Sequence, residues 1–161
     1  MYDKPFMLEI VTPEKVFMRE EVLGVVLPEP EGEVGVLAGH SPLIAELDSG
    51  VIRYRDLKGV EQKLAISGGF LKVAHNEARV LAETAERGTE IDVQRAQESL
   101  RRARERLRSR SQYLDAELIV KISQDLGQGG VPFNQLRAEK SMRRAISRLK
   151  AANASTDFMN H

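Results

Sequence analysis

Arginine is the residue type whose number and spacing offer this chain chemistry. The phrase Arg-Ala-x-x-Ser-x-x-Arg-Ala-x-x-Arg-Leu runs from Arg95 to Leu107 and again from Arg137 to Leu149. Guanidinium groups are forked donors that match carboxylate and phosphate oxygens. A pair of such helices can therefore meet an acidic surface, a nucleotide, or an acidic part of its own chain. Other chemistries are poorly provided for. There is no Cys, hence no thiol nucleophile, thiolate metal site or disulfide, and only His40, His75 and His161 supply imidazole. No Ser, His and acid set offers a nucleophile with its base, and no His/Asp/Glu spacing predicts a metal site. Gly32-x-x-Gly35-x-x-x-Gly39 lacks both the dinucleotide spacing and the Lys-Ser/Thr of a phosphate loop. Glu29, Glu31 and Glu33 alternate with Pro and Gly, which predicts a solvated surface loop. Neither a catalytic residue nor a metal ligand is expected.

The elements that must position these arginines follow from periodicity. Ala96, Leu100, Ala103 and Leu107 form one apolar stripe, and Ala138, Met142, Ala145 and Leu149 repeat its spacing. Small alanines let two helices approach closely, so the stripes predict an antiparallel pair. Thr89 followed by Asp92 reads as a capping-box variant opening the first helix, with Thr89 as the cap. Leu114, Leu118, Ile122 and Leu126 predict a further helical stretch over 112–126, stopped by Gly127 to Pro132. The second copy of the phrase predicts a helix over 134–151, and residues 153–161 carry no pattern.

Before residue 89 the pattern is that of strands. Phe6–Val11, Val22–Leu27, Val51–Arg55, Gln62–Ile66, Phe70–Val73 and Ala78–Ala82 are short runs rich in β-branched residues, separated by Pro, Gly and Asn. Asp56 to Gly59 and His75 to Glu77 are expected to be hairpin turns. The fold class is therefore α+β in two parts. An N-terminal all-β sandwich occupies 1–88, a C-terminal antiparallel helical hairpin with an enlarged connection occupies 89–152, and 153–161 is an unstructured tail. The zero net charge of the 161 residues conceals a split: residues 1–90 hold ten Lys/Arg against sixteen Asp/Glu, leaving fourteen against eight for 91–161. The halves carry −6 and +6, which gives the basic helices an acidic counterpart within the same chain. No apolar run reaches the ~20 residues of a membrane span and no signal peptide is expected, so a soluble chain on the cytoplasmic side is anticipated.

Three ordered strings carry a resemblance: Gly32 to Leu43 (GEVGVLAGHSPL), Ser67 to Val73 (SGGFLKV) and Val80 to Arg87 (VLAETAER), followed by Ile91-Asp92-x-x-Arg95-Ala96. The chain resembles the epsilon subunit of bacterial F-type rotary ATP synthases over residues 5–108 and again over 136–150. The resemblance implies a non-catalytic rotor part of the central stalk. Its partners would be the gamma subunit, the c-ring and the alpha/beta catalytic head, with no nucleic acid. It would lie peripherally on the cytoplasmic face of the bacterial inner membrane, coupling gamma and c-ring rotation to proton-driven ATP synthesis. It also implies a brake, with helices folded on the sandwich permitting ATP hydrolysis and helices extended into the head inhibiting it. Small Ala seams fit such a switch, because exchanging one for another at ~25 cal/mol per Å² leaves a gap of only a few kcal/mol.

No cofactor is required by the resemblance, but some members bind ATP as a regulatory ligand. Carried over, that site comprises Glu86, Asp92, Arg95 and Arg102, with Arg144 and Arg148 on the second helix. The loop bearing Glu33 and His40 corresponds to the surface that faces the c-ring. Ala38 departs from the family's usual Pro, and residues 111–135 make a connection some twenty residues longer than the usual hairpin loop. The readings from other classes are a stand-alone nucleotide- or ligand-binding module and a nucleic-acid-binding module. The charge balance and the lack of aromatic stacking residues on the helices weigh against the last.

Overall fold

In a computed structural model the described residues are 4–113 and 133–153, with side chains described for 4–108 and 137–153. Eight strands come first: β1 (Phe6–Val11), β2 (Val16–Val22), β3 (Gly24–Glu29), β4 (Gly32–Val36), β5 (Leu43–Arg55), β6 (Glu61–Ala74), β7 (Glu77–Ala82) and β8 (Ala85–Arg87). A short 3-10 turn (Gly88–Glu90) leads into α1 (Val93–Tyr113) and then α2 (Phe133–Ala151).

The strand order is β2-β1-β7-β6-β5-β3-β4, with β8 on β6. Two long strands make a sandwich from this path. The first half of β6 pairs β8 through Leu64, Ala65 and Ile66, whereas its second half pairs β7 from Gly69 to Ala74. β6 thus passes from one layer to the other at Ser67–Gly69, where Gly68 and Gly69 take φ of 100° and 149°. Sequence reading places a break there; the structure has one continuous bent strand, because glycine supplies the corner without ending the ladder. Gly69 also lies against β7 so closely that a Cβ would be 1.9 Å from the Leu81 carbonyl oxygen.

Alternation puts Leu8, Ile10, Leu27, Ile52, Leu64, Leu71 and Val80 between the layers, each essentially without solvent contact. Tyr54 is buried among them, and loss of hydration raises the pKa of its phenol. Both anticipated turns are present. Asp56 Oδ1 accepts from the Lys58 and Val60 amides, at 2.9 and 3.0 Å, to close β5–β6. The Val60 amide bond in particular holds the Asp56 carboxyl below its ordinary pKa. His75 and Asn76, at φ 51° and 59°, close β6–β7.

Several expectations are corrected. β2, β4 and β8 are strands that no sequence run announced, since their charged or glycine-rich composition hides them. The run Val22–Leu27 joins the end of β2 to β3. Glu29 and Glu33 belong to a β3–β4 hairpin in which Glu29 pairs Gly32 and Glu33 pairs Pro28, so the loop is reduced to its tip. Thr89 sits in the 3-10 turn and does not cap α1. Asp92 does so itself, its Oδ1 accepting from the Arg95 amide at 3.0 Å. The stretch 112–126, apart from the helical backbone to Tyr113, lies outside the described residues, as do the stop at Gly127–Pro132 except its flank at Phe133 and the tail beyond Asn153.

The two stripes meet as anticipated. Ala96 and Leu100 of α1 pack with Ala145 and Leu149 of α2, and Ile91, Val93, Met142 and Ile146 border them. Because the start of α1 meets the end of α2, the pair is antiparallel. α2 lies between α1 and the sandwich, on β5 and β6.

Candidate functional site

The acidic half of the chain meets the basic half along α2. Arg148 donates two bonds from Nε and Nη2 to the carboxylate of Glu86 on β8, at 2.6 and 3.0 Å. Arg143 donates to Asp48 Oδ2 of β5 at 2.8 Å. Lys63 of β6 donates to Asn153 Oδ1, just past α2, at 2.7 Å. Between these bridges Ala151 is buried and Ala65, on β6, is covered. Ser147 is buried too, its hydroxyl satisfied by donation to the Arg143 carbonyl at 2.9 Å. The Glu86 and Arg148 side chains are 39% and 35% exposed, so the pair contributes on the scale of about 1 kcal/mol rather than as a buried ion pair.

Of the six nucleotide-site residues the resemblance implies, the fold brings together Glu86, Arg144 and Arg148. They surround a cavity of about 10 Å³, floored by Ala65 and Ile66 and lined by the hydroxyls of Ser67 and Thr84, which lie 2.6 Å apart. That space holds about one water. The donor types suit phosphate, Arg148 is already engaged with Glu86, and Arg144 also lines a neighbouring cavity of about 900 Å³ with Arg137, Lys140 and Arg143. Asp92 and Arg95 lie at the first turn of α1 and do not line this cavity. Arg102 is exposed further along α1 and faces Glu98 at 3.8 Å. Arg101 bonds the same Glu98 and holds its carboxyl below its ordinary pKa.

Glu33 and His40 sit on the β3–β4 hairpin and the loop after it. Glu33 is ion-paired to Arg53 of β5 at 2.7 Å. His40 places Nδ1 2.7 Å from the Ser41 carbonyl oxygen, so Nδ1 donates to it. Asn76 braces the loop, accepting from the Gly39 amide at 3.0 Å and donating to the Pro5 carbonyl at 3.3 Å. Ala38 and Leu43 pack against the sandwich core, whereas Leu37 is exposed. Ile44, just beyond, is 77% exposed, and the cross-strand partners Phe70 and Leu81 are 57% and 52% exposed on the outer side of the same layer.

Sequence reasoning missed Asp48, Lys63, Arg143, Asn153 and Gly88, which complete the seam. The one signal pointing to them was the opposite charge of the two halves. Among the described residues no group of His, Asp and Glu is arranged to hold a metal, and no helix is long and apolar enough to cross a membrane.

Residues 5–88 match the family profile of the ATP synthase, Delta/Epsilon chain, beta-sandwich domain. The chain is 50% identical to the ATP synthase epsilon chain of Syntrophomonas wolfei over 115 residues, 71% of this chain and 84% of that one. It is 56% identical to the epsilon chain of Carboxydothermus hydrogenoformans over 104 residues, 65% and 77% of the two. Among solved structures it shares its fold with a chain of the Euglena gracilis mitochondrial ATP synthase described as OSCP/F1/c-ring, with a TM-score of 0.69, 23% identity and coverage of 92% of this chain and 81% of that one. The profile match over residues 5–88 and the identity to named epsilon chains converge on one assignment: the chain belongs to the epsilon-chain family of ATP synthases.

Proposed function

We propose that this chain is a non-catalytic rotor subunit of an F-type ATP synthase. In this reading the sandwich binds the gamma subunit and the c-ring, couples their rotation to proton-driven synthesis, and carries a helical brake on ATP hydrolysis by the alpha/beta head. It lies peripherally on the cytoplasmic face of the bacterial inner membrane. The observation that carries the reading is the division of labour between surfaces. The sandwich presents Ile44, Phe70 and Leu81 on one outer face, the kind of exposed apolar patch that marks a partner site, while α2, which lines a cavity of about 900 Å³ together with Phe70 and Leu81, is held by small residues and half-exposed ion pairs that are cheap to exchange. Glu33 and His40, on the braced loop, are the c-ring contacts in this reading. The structurally similar chains belong to a Euglena gracilis mitochondrial ATP synthase with its c-ring and to the central stalk and c-ring of the Tetrahymena thermophila enzyme, which is in keeping with it.

ATP enters as a regulatory ligand that must take Arg148 from Glu86 and widen the seam, with Arg144 beside it and Asp92, Arg95 and Arg102 reached from α1.

The test is ATP hydrolysis by an epsilon-depleted catalytic head with its gamma subunit, to which the full chain or residues 1–88 are added. Inhibition by the full chain, and binding without inhibition by 1–88, is the expected result; relief by millimolar ATP that Arg148→Ala abolishes supports the regulatory ligand. Failure of both forms to bind gamma sinks the rotor reading.

A further inference from the structure

Gly88 stands where the sandwich ends and the helical unit begins, and it has no room for a side chain. A Cβ built there lies 2.2 Å from the Ala151 carbonyl oxygen and 2.9 Å from its carbon, with the Lys63 carbonyl oxygen of β6 at 3.3 Å. The two severe contacts come from the last residue of α2; the contact with the sandwich is only tight. The backbone makes no such demand of its own, since Gly88 lies outside the left-handed region that favours glycine, unlike Gly68 and Gly69. The demand for glycine at 88 comes chiefly from the docked α2, with the Lys63 carbonyl oxygen adding a tight contact from the sandwich.

Its neighbours mark it as a boundary. Arg87 is fixed to the sandwich by Glu20, at 3.4 Å, and by stacking over the Phe17 ring at 5.8 Å. On the other side Asp92 fixes the start of α1. Between these anchors Gly88 is gripped from one side by α2 and from the other by β6. The clash partner is backbone, which cannot swing away as a side chain can. Relief requires the end of α2 to move by more than a relaxed rotamer allows, and Ala151 is tied through α2 to the Arg148 and Arg143 bridges.

We propose that Gly88 is the steric gate of the helical unit: the docked arrangement is open only to a chain without a side chain at this position, and one added methyl drives α2 off the sandwich while leaving the sandwich folded. The consequence for hydrolysis rests on the braking function proposed above; the gate itself does not. A residue that sets docking by shape, beside pairs that set it by charge, would let ligands act on the charges without having to overcome the shape.

The chain has no Cys, so distance labels can be placed on the full protein at Lys58→Cys with Lys140→Cys, for the body of α2, and at Lys58→Cys with Lys150→Cys, for its last turn. In Gly88→Ala the docked distance is expected to fall at least tenfold in population for both pairs, with the unfolding midpoint of the sandwich unchanged. Gly35→Ala, where a Cβ meets nothing within 4 Å, should keep both distances. Movement of the Lys150 pair alone, meaning a last turn frayed around the methyl, overturns the gate, as does no movement or a weakened sandwich. Adding the same variant to the catalytic head separates the two proposals: undocked helices that inhibit no more than the parent chain leave the gate standing and remove the brake.

Discussion

At the scale of single residues, glycine does more in this chain than any charged group. Gly68 and Gly69 turn β6 between layers, and Gly69 at φ 149° also lets β7 approach. Gly69→Ala would set a Cβ 1.9 Å from the Leu81 carbonyl oxygen and 2.9 Å from the Ala82 Cα. Two backbone contacts and an unfavourable φ together predict a loss of about 3 kcal/mol or more, read as a lower midpoint in denaturant unfolding; an unchanged midpoint would mean that β6 and β7 can separate freely at the corner. The arginines behave differently. Arg148, read from sequence as a ligand donor, is first a partner for Glu86, and Arg143 and Arg101, not read so, are held by Asp48 and Glu98. Burial decides which of these pairs matter, and all three are partly exposed.

At the scale of elements, the helix pair depends on a very small core. Leu100 and Leu149 are its only large, fully buried side chains among the described residues, with Ala96 and Ala145 completing the cluster. Leu149→Ala removes one of the two and leaves a cavity that alanine neighbours cannot fill, at a cost of about 2–5 kcal/mol. Because α1 packs chiefly on α2, the loss should fall on the helical unit. Hydrogen exchange is expected to speed up in α1 and α2 while the amides of β5 and β6 keep their protection. Uniform loss across the chain would contradict this separation of cores. The sandwich has its own closed core from Phe6 to Ala82, which is why the two units can respond independently.

At the scale of the whole molecule, the acidic sandwich edge and the basic helices offset each other, giving a chain of zero net charge. Docking along the Asp48–Arg143 and Glu86–Arg148 bridges is consequently sensitive to screening. Two part-exposed pairs worth about 0–1 kcal/mol each should lose most of that as the Debye length shrinks from ~10 to ~3 Å between 0.1 and 1 M salt. Exchange protection of α2 should fall a few-fold over that range while the sandwich stays unchanged. A seam that keeps its protection is held by its packing around Ala65, Ala151 and Gly88 rather than by the two bridges.

The sequence by itself determined what depends on local pattern and composition. Strand-rich and helical halves, the Asp56 and His75 turns, the twin Ala-Leu stripes and the family resemblance all rest on residues close together in the chain, where spacing fixes which face is apolar. Through the resemblance it also nominated Glu86, Asp92, Arg95, Arg102, Arg144 and Arg148 as one group, of which the fold sets Glu86, Arg144 and Arg148 around one cavity. Only the tertiary structure decided that β6 runs unbroken through its glycines, that Asp92 rather than Thr89 caps α1, and that charged β2 and β8 are strands. It alone paired Arg148 with Glu86 and set Gly88 against Ala151, contacts between residues 62 and 63 positions apart. Periodicity carries no information about which distant backbone atom will occupy the space beside a glycine; that is settled when two separately folded cores pack, because two backbones cannot share one volume.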